Sequence, residues 1–293
     1  MKLIVLTSNK TSRSIIRFEE EAKKRKIKVE IFNYRDISFT IKGKDIYFSS
    51  KNKKISFKSA IVRSGRPQLY DVREIKIHDL LLKYFYENDI FFTNKNFLKD
   101  NYLISNKIVQ YLTLSKYTKR LINPTFYFET KEELLYNLEY IQYPIIIKPI
   151  DGSKGTGIEK INNEKELIEM FKYLEVNNFV FQKYIPNNGD VRILYIGGKY
   201  IGSMMRSGQN NNIVNNFSKG GKVEKYKLKN SIKKELDILV KRLNIDYVGI
   251  DIIIDKNNFY ILEINRNPGF EGFELCTNIN VAGKVIDFML GFK

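Results

Sequence analysis

The sequence has very few of the side chains that build disulfides and histidine metal sites. Its 293 residues include one cysteine, Cys276, one histidine, His78, and no tryptophan. A lone cysteine excludes an intramolecular disulfide and a cysteine-rich zinc site, and a lone histidine excludes a multi-histidine centre. No run approaches the roughly 18 to 20 apolar residues that cross a bilayer, and the first apolar run is too short for a signal peptide. We therefore expect a cytoplasmic protein without a membrane segment.

The charge is strongly basic and unevenly distributed. The chain carries 50 Lys and Arg against 33 Asp and Glu, a net charge of +17. Residues 1–120 hold 27 of these cations and 12 of the acids, which leaves +15, whereas residues 121–293 are nearly balanced at +2. The N-terminal excess is either solvated surface in a lysine-rich sequence or a surface that attracts an acidic partner or polyanion.

The pattern of apolar residues predicts an α/β protein. The run Leu3–Leu6 is a candidate strand, residues 14–26 carry apolar side chains at helical spacing, and Val29–Phe32 is a second candidate strand. A strand, a helix and a strand within about thirty residues predict a parallel pair. Later segments alternate between short strands and helices, and the first unit closes near Thr93.

A glycine-bearing loop, Asp151-Gly-Ser-Lys-Gly-Thr-Gly157, is the first candidate binding element. Glycines let backbone N–H groups approach phosphate oxygens closely, and Ser, Thr and Lys add donors. The spacing fits neither a Walker A loop nor the dinucleotide fingerprint, and the loop lies between two strand-like segments. Taken alone, it fits an ordinary hairpin turn better than a nucleotide flap.

Lys148 favours the nucleotide interpretation. It interrupts the run Ile145-Ile146-Ile147, where a buried strand would place another apolar side chain. A lysine in such a position loses solvation unless an anion, such as a phosphate, contacts it. The alternative is a lysine that extends from the strand end into solvent.

Three oxygen-bearing side chains form the strongest constellation. Asp251 lies in one apolar strand, and Glu263 and Asn265 lie two residues apart in the next, with a short turn between the strands. A tight hairpin would place Asp251 opposite Glu263 and all three side chains on one face. Carboxylate and amide oxygens suit Mg²⁺, with phosphates and water completing its coordination. Pairing of these carboxylates with Arg192 or Arg206 is the alternative.

In this order along the chain, these residues resemble the ATP-grasp ligases. The motifs that carry the resemblance are Lys107, Lys148, the 151–157 loop, Gln182-Lys-Tyr-Ile185, Asp190-Val-Arg192, Gly249-Ile-Asp251 and the stretch from Glu263 through Asn265 to Gly272. The stretch Asn265-Arg-Asn-Pro-Gly-Phe-Glu-Gly272, with Asn280-Val-Ala-Gly-Lys284, is similar to the RimK branch, whose ligases add glutamate to the C terminus of a ribosomal protein. The similarity covers essentially the whole chain.

The resemblance implies an α/β (α+β) ATP-grasp fold in three parts, with the nucleotide held between two α+β subdomains. The parts are an N-terminal Rossmann-like pre-ATP-grasp domain (1–93), a central subdomain with the glycine-rich flap (94–184) and a C-terminal subdomain with the metal site (185–293). It also implies a set of ATP-binding residues: Lys107, Lys148, Gly152, Ser153, Lys154, Gly155, Thr156, Gly157, Gln182, Lys183, Tyr184, Ile185, Asp190 and Asn216. The adenine contacts of Lys183 and Tyr184 would be mostly through the backbone.

The metal and catalytic residues follow from the same resemblance. Asp251, Glu263 and Asn265 would hold two Mg²⁺ ions, for which Mn²⁺ could substitute. Arg192, Arg206 and Lys148 would be the catalytic residues, acting on the acyl-phosphate region and the phosphates. No protein nucleophile is needed, so Cys276 and His78 are expected to have packing or surface roles.

Two positions depart from the family pattern. Lys183 stands where many relatives have an acid, which matters little if the backbone makes the contact. Val214-Asn-Asn216 replaces the Arg-Ser-Asn that is common in the RimK branch, so a cationic substrate contact is absent. Glutamate as the incoming amino acid is therefore open.

The resulting hypothesis is an ADP-forming carboxylate–amine ligase, RimK-like, that adds an amino acid such as glutamate to a protein or peptide carboxylate. The alternatives within this class are an amino-group carrier protein, a ribosomally made peptide or a small-molecule or coenzyme substrate. An alternative of another class is a nucleic-acid-binding or ribosome-binding protein with a degenerate ATP site, whose stacking residues would be Tyr34, Phe39, Tyr47 and Phe48. A homo-oligomer without membrane contact is also expected.

Overall fold

The computed structural model describes residues 2–63, 72–96, 106–118, 123–150, 156–208, 221–256 and 258–291, and within these ranges the chain forms a mixed α/β architecture with four β-sheets. The strands and longer helices, in chain order, are β1 (Lys2–Thr7), α1 (Arg13–Lys24), β2 (Lys28–Asn33), β3 (Ile37–Lys42), β4 (Asp45–Ser50), β5 (Lys53–Ile55), β6 (Ser59–Arg63), α2 (Val72–Glu87), β7 (Phe91–Phe92), α3 (Lys107–Ser115), β8 (Thr125–Phe126), α4 (Lys131–Tyr136), β9 (Ile145–Pro149), β10 (Glu159–Ile161), α5 (Glu164–Met170), β11 (Phe179–Lys183), β12 (Asp190–Ile196), β13 (Lys199–Ser207), β14 (Lys222–Lys225), α6 (Asn230–Leu243), β15 (Tyr247–Asp255), β16 (Asn258–Asn265), α7 (Glu271–Thr277) and α8 (Val281–Met289). Short 3₁₀ turns occupy Tyr34–Asp36, Leu138–Tyr140 and Val176–Asn178.

The N-terminal part is a parallel sheet with the strand order β2-β1-β6-β7. The apolar residues of β1 are buried because this strand lies inside the sheet and is covered by α1. Helix α1 buries Ile15, Phe18 and Ala22, the face expected from their spacing. The expected parallel strand–helix–strand unit is therefore confirmed.

A small antiparallel sheet of β3, β4 and β5 lies beside this unit and packs on α2. Strands β4 and β5 form a hairpin, and the sheet begins before it, with β3 at Ile37. Phe48 is 2% exposed and Tyr34 is 1% exposed, so the expectation that these two rings could stack on nucleobases is wrong. Both rings fill the core against α2 and β6 because they point inward from the sheet and the turn before it. Phe39 and Tyr47 remain exposed.

Two antiparallel sheets lie in the described part of the chain that follows β7. The central sheet has the order β10-β9-β11-β8, and the larger sheet has the order β14-β13-β12-β15-β16. The glycine-bearing loop joins the antiparallel strands β9 and β10, as expected for a hairpin. Gly157 at its end has φ +72°, and a Cβ there would lie 2.8 Å from Pro149 Cγ. Glycine is required at this position on both grounds.

The N-terminal part and the C-terminal part share one apolar core. Leu3 and Phe18 belong to the same buried cluster as Phe270, Val281 and Ile286. The rings of Phe18 and Phe270 meet edge to face with their centroids 5.5 Å apart. The parallel sheet, the central sheet and the larger sheet each fall inside one of the three ranges expected from the sequence, and we propose those ranges as the domain division, with the first and third packed together.

Asn94 connects the N-terminal part to the larger sheet. Its backbone N–H donates to Asp246 Oδ1 at 2.7 Å, and its Nδ2 donates to the Tyr247 and Arg266 carbonyls at 2.9 and 3.0 Å. Its Oδ1 accepts the Tyr247 N–H at 2.8 Å. The residue has φ +62°, a left-handed conformation that asparagine tolerates better than most residues. One side chain therefore fixes the start of β15 and the segment after β16.

Asp246 gives the fold a testable pH dependence. Burial raises the pKa of its carboxyl to about 6, and the hydrogen bond from the Asn94 backbone only partly opposes this. A carboxyl with a raised folded-state pKa stabilises the fold below its unfolded pKa, and that contribution is lost as the pH rises through 6. We expect Asp246→Asn to gain about 1 kcal/mol in unfolding free energy, relative to the unmodified chain, between pH 5 and pH 7.5. Urea unfolding at the two pH values measures this difference, and an equal difference at both would contradict it.

Neither of the two rare reactive side chains lies in the site described below. Cys276 is half-buried, with its Sγ 4.0 Å from Met204 Sδ, and burial raises the pKa of its thiol. His78 is buried on α2 beside the Tyr34 ring. Among the helices of the described residues, none has the length and apolar character required to cross a membrane.

Candidate active site

One face of the larger sheet collects the charged residues expected from the sequence. Asp190 pairs with Arg206 across β12 and β13, Arg192 pairs with Asp251 across β12 and β15, and Asp251 pairs with Glu263 across β15 and β16. Directly opposed residues in antiparallel strands share a face, as do residues two apart on one strand. The expected hairpin is confirmed, with Asp255 opposite Asn258 at its turn.

Asp190, Arg192, Arg206 and Asp251 form a charge-balanced quartet on this face. Arg192 binds Asp251 through two hydrogen bonds of 2.8 and 2.7 Å, and Arg206 Nη2 lies 2.8 Å from Asp251 Oδ2. Arg206 Nε also donates to Asp190 Oδ2 at 2.8 Å. The pairing of Asp251 with both arginines, considered from the sequence as an alternative to metal binding, is present.

The quartet sets the protonation of its two acids differently. Burial alone would raise the pKa of Asp251, but Arg192 and Arg206 outweigh burial and lower it to about 2. Burial raises the pKa of Asp190, and attraction to Arg206 offsets this only in part. Burial opposes the charge of Arg206, yet its two acidic partners raise its pKa. Asp251 is therefore ionised, and its low pKa depends on the positive charges of Arg192 and Arg206.

Glu263 and Asn265 differ from Asp251 in their contacts. Among the described residues, none donates a hydrogen bond to the half-buried Glu263 carboxylate, whereas Asn265 Oδ1 accepts the Asn267 N–H at 2.9 Å. No three His, Cys, Asp or Glu side chains of the described ranges cluster as a metal site. The oxygen donors of Asp251, Glu263 and Asn265 fit Mg²⁺ chemically, and the Glu263 carboxylate is the one not already held by a neighbour.

Lys148 faces these acids from the central sheet. It is buried, and its Nζ donates to Gln182 Oε1 at 2.7 Å, while Gln182 Nε2 donates to Thr125 at 2.7 Å. Burial, reinforced by Lys107, lowers the pKa of Lys148 to about 8, and attraction to Glu263 and Asp190 opposes this. Lys107 Nζ donates to the Pro149 carbonyl at 2.7 Å. Two amines therefore stand on one side and carboxylates on the other.

A cavity of about 130 Å³ separates the two sheets at this point. Ten of the residues expected from the sequence line it: Lys107, Lys148, Gln182, Lys183, Tyr184, Ile185, Asp190, Arg206, Asp251 and Glu263. Arg192, Asn265, Thr156 and Gly157 are described but do not line it. Gly152, Ser153, Lys154, Gly155 and Asn216 lie outside the described residues.

The backbone of Lys183 and Tyr184, which the resemblance assigns to adenine contacts, already forms hydrogen bonds within the protein. The Tyr184 N–H donates to the Pro144 carbonyl at 2.9 Å, and Asn123 Nδ2 donates to the Lys183 carbonyl. The Lys183 side chain is exposed and donates to Gln142 Oε1 at 3.2 Å. The departure from an acid at position 183 therefore changes a side chain whose amine contacts Gln142, a residue that does not line the cavity.

Six lining residues were not expected from the sequence: Asn123, Ile146, Ile158, Asn187, Ile253 and Leu262. The apolar ones give the cavity a surface for a flat base. Ile146 and Ile253 lie two residues from Lys148 and Asp251 on β9 and β15, so strand alternation alone would have found them. Leu262 lies at an irregularity between β15 and β16, which no sequence pattern indicated.

The arrangement of the two antiparallel sheets on either side of the cavity matches that of solved ATP-grasp ligases. The solved ATP-grasp ligase PsnB, complexed with minimal precursor, matches with a TM-score of 0.75 at 16% identity, covering 99% of this chain and 98% of that one. The same ligase with minimal precursor, Mg and ADP matches with a TM-score of 0.73 at 17% identity, covering 99% of this chain and 97% of that one. At such identities the likeness shows the fold alone.

The chain belongs to the RimK-like ATP-grasp family, whose domain matches residues 107–289. A probable alpha-L-glutamate ligase of Maridesulfovibrio salexigens is 33% identical over 151 residues, which are 50% of this chain and 50% of that protein. The match therefore spans half the length of that curated relative. A probable alpha-L-glutamate ligase of Rhodopirellula baltica is 25% identical over 296 residues, covering 99% of this chain and 71% of that protein.

Proposed function

We propose that the protein is an ATP-dependent carboxylate–amine ligase that forms an amide bond and releases ADP and phosphate. The observation that carries the proposal is the cavity in which buried Lys148 faces Asp190, Asp251 and Glu263. Buried amines and carboxylates that do not pair directly across a cavity leave room for a ligand with both phosphate charges and metal. Membership in the RimK-like family supports the same reaction class.

The position of each residue around the cavity suggests which part of ATP it would contact. Lys148 and Lys107 would contact the phosphates, because they are the cavity's amines next to the flap strands. Lys183, Tyr184 and Ile185 would hold the adenine ring by backbone, against Ile146 and other apolar walls. The flap would close over the phosphates from the β9–β10 loop.

Mg²⁺ would be held by Asp251, Glu263 and Asn265, and it would neutralise charge on the phosphates during transfer. Glu263 is best placed for this, because its carboxylate has no donor among the described residues. By the family resemblance we propose two ions, for which Asp251, Glu263 and Asn265 would supply the oxygen ligands. Asp251 would exchange part of its contact with Arg192 or Arg206 when it holds a metal.

The chemistry needs no nucleophile from the protein. A substrate carboxylate oxygen forms a bond to the γ-phosphorus as the bond to ADP breaks, which gives an acyl phosphate. An amine then bonds to the acyl carbon, phosphate departs, and the amine proton passes to solvent. Arg206, which lines the cavity, would stabilise the negative oxygen of the tetrahedral species, and Arg192 would act through Asp251.

A protein or peptide carboxylate is the acceptor that we propose, with an amino acid such as glutamate as the amine. The names of the curated relatives support glutamate, and the precursor-bound fold relatives support a peptide. An amino-group carrier protein or a small-molecule or coenzyme substrate is the runner-up. The nucleic-acid alternative loses support, because two of its four proposed stacking rings are buried.

Replacing Lys148 by methionine tests the nucleotide assignment. We expect ATP affinity to fall by roughly a hundredfold, as for loss of a charge-assisted phosphate contact in a buried site. The fold should be retained, because a buried amine is replaced by an apolar side chain of similar length. Calorimetric titration with a nonhydrolysable ATP analogue, with urea unfolding alongside, measures both.

Lys183→Met is the matched control, since Lys183 lies in the same lining but its amine contacts Gln142. Its ATP affinity should change by less than about threefold. Equal losses for the two variants would contradict the assignment of Lys148 as the phosphate ligand.

The substrate pair is identified by release of ADP. The twenty amino acids are screened against candidate acceptors with Mg²⁺, and the responding acceptor is weighed intact by mass spectrometry. A ligase gives ADP and phosphate only when both substrates are present. Release of AMP and pyrophosphate, or an acceptor of unchanged mass, would exclude this reaction.

A further inference from the structure

The edge of the small N-terminal sheet combines three features that no role in the ligase site explains. Strand β3 is the outer strand in the order β3-β4-β5, so within the described residues its far edge pairs with no strand. Phe39 and Ile41 on β3 are 44% and 59% exposed. Proteins normally shorten, bend or cover such an edge, because it can pair with another extended segment.

The two exposed side chains continue the core surface. Phe39 pairs with Phe48, which is 2% exposed, and Ile41 pairs with the partly buried Ile46. Side chains directly opposed in an antiparallel pair lie on one face. The apolar surface therefore runs from the core outward across β4 and ends uncovered on β3. A further strand beside β3 would cover it.

The small sheet that carries this edge is predominantly positive, with Lys42 on β3 itself and Lys44 in the turn that follows it. Residues 37–58 contain six lysines and one acid, Asp45. All six lysines are exposed, and among the described residues no carboxylate forms an ion pair with any of them. The partner that complements this surface is therefore acidic. A second copy of the same edge is disfavoured, because it would bring a second sheet of like positive charge against this one.

We propose that the β3 edge, defined as Ile37–Lys42 with the surrounding lysines, docks an acidic polypeptide segment as an added antiparallel or parallel strand. Backbone hydrogen bonds to β3 would give the pairing, Phe39 and Ile41 would contact alternate apolar side chains, and the lysines would attract the acids. A nucleic acid fits less well, because it cannot pair with a strand edge and the exposed Tyr47 ring already has Lys54 over it at 5.2 Å. We take this acidic segment to be part of the acceptor of the ligase, and only in this respect does the inference rest on the proposed function.

The test measures peptide binding without ATP or Mg²⁺, so that it stands apart from ligase turnover. The probe is a fluorescein-labelled peptide of about ten residues with alternating glutamate and valine, followed by anisotropy with the full chain. Binding should weaken roughly tenfold in Phe39→Ser/Ile41→Ser and in Lys42→Glu/Lys44→Glu. Lys165→Glu/Lys234→Glu reverses two exposed lysines elsewhere and should leave peptide binding within about twofold.

The peptide itself supplies a control that does not depend on the folding of any variant. N-methylation at alternate residues removes the backbone donors and should weaken binding roughly tenfold if a strand is added. Equal binding of the methylated peptide, or tighter binding of a single-stranded oligonucleotide of equal charge, would overturn the proposal. So would self-association of the chain that disappears in Phe39→Ser/Ile41→Ser, because the occupant would then be a second copy. Absence of peptide binding together with normal ADP release would reject this surface and leave the ligase proposal standing.

Discussion

Replacing Asp251 by asparagine should remove both the catalytic activity and part of the stability of the protein. Asp251 is the proposed metal ligand that also holds Arg192 and Arg206 through hydrogen bonds and an ion pair of 2.7 to 2.8 Å. Loss of a metal-held transition-state interaction is worth several kcal/mol, so Mg²⁺-dependent ADP release should fall about a thousandfold. The measurement is initial rate under saturating substrates at several Mg²⁺ concentrations.

The stability loss follows from the charge balance of the quartet. With Asp251 neutral, the buried Arg206 and the partly buried Arg192 face Asp190 alone, and an uncompensated buried cation is costly. We expect the free energy of unfolding to fall by about 3 kcal/mol, the lower end for breaking a buried pair, since Asp190 remains. Urea unfolding of the two proteins at neutral pH measures it. An unchanged unfolding free energy would show that the quartet contributes nothing net.

Glu263→Gln separates the proposed role in metal binding from the role of the quartet in stability. Glu263 lies directly opposite Asp251 on the same face, but within the described residues no cation forms an ion pair with it. Its neutralisation should therefore lower ADP release by a similar factor of about a thousand while changing the unfolding free energy by less than about 1 kcal/mol. Full turnover in Glu263→Gln would reject the metal site even if Asp251→Asn were inactive, because that inactivity could then follow from the damaged quartet.

The sequence predicts the secondary-structure elements of the fold better than it predicts which elements pack against each other. Apolar runs of strand length and the helical spacing of Ile15, Phe18 and Ala22 were sufficient for the parallel unit, because burial of one face imposes these periods on the sequence. The shared core between Phe18 and Phe270 could not be predicted, since the two positions are brought together by the fold and not by any pattern near either residue. The exposure of Tyr34 and Phe48 was wrongly predicted for the same reason: their lysine neighbours in the sequence suggest a surface position, but the fold buries both rings.

The candidate site shows the same division. The opposition of Asp251 and Glu263 follows from a short hairpin, and the burial of Lys148 follows from its apolar neighbours, so both are local consequences of the sequence. The pairing of Asp251 with Arg206 depends on the position of β12 between β13 and β15 and on the register of both strand pairs, which the sequence does not specify. Metal binding and ion pairing use the same carboxylate oxygens, and sequence alone could not separate them.

Asn94→Ala should be among the most destabilising single substitutions outside the active site. It removes three hydrogen bonds between Asn94 and the larger sheet: two from Nδ2 to the Tyr247 and Arg266 carbonyls and one from the Tyr247 N–H. It also places alanine at φ +62°, which costs about 1 kcal/mol. With each buried group that loses its partner costing about 1 kcal/mol or more, the free energy of unfolding should fall by about 4 kcal/mol.

Asn244→Ala is the control that isolates the hydrogen bonds. Asn244 also has a left-handed backbone, with φ +51°, but it is exposed at the C-terminal end of α6. Its replacement should cost only about 1 kcal/mol, from the backbone alone. Asn94→Gly removes the same hydrogen bonds but tolerates the left-handed backbone. Its loss of unfolding free energy should therefore lie between those of Asn244→Ala and Asn94→Ala. Because Asn94 contacts the Arg266 carbonyl, next to Asn265, ADP release should also become more sensitive to urea in Asn94→Ala than in Asn244→Ala. Equal losses of unfolding free energy in the two alanine variants would show that Asn94 connects the two parts of the fold through its backbone and not through its side chain.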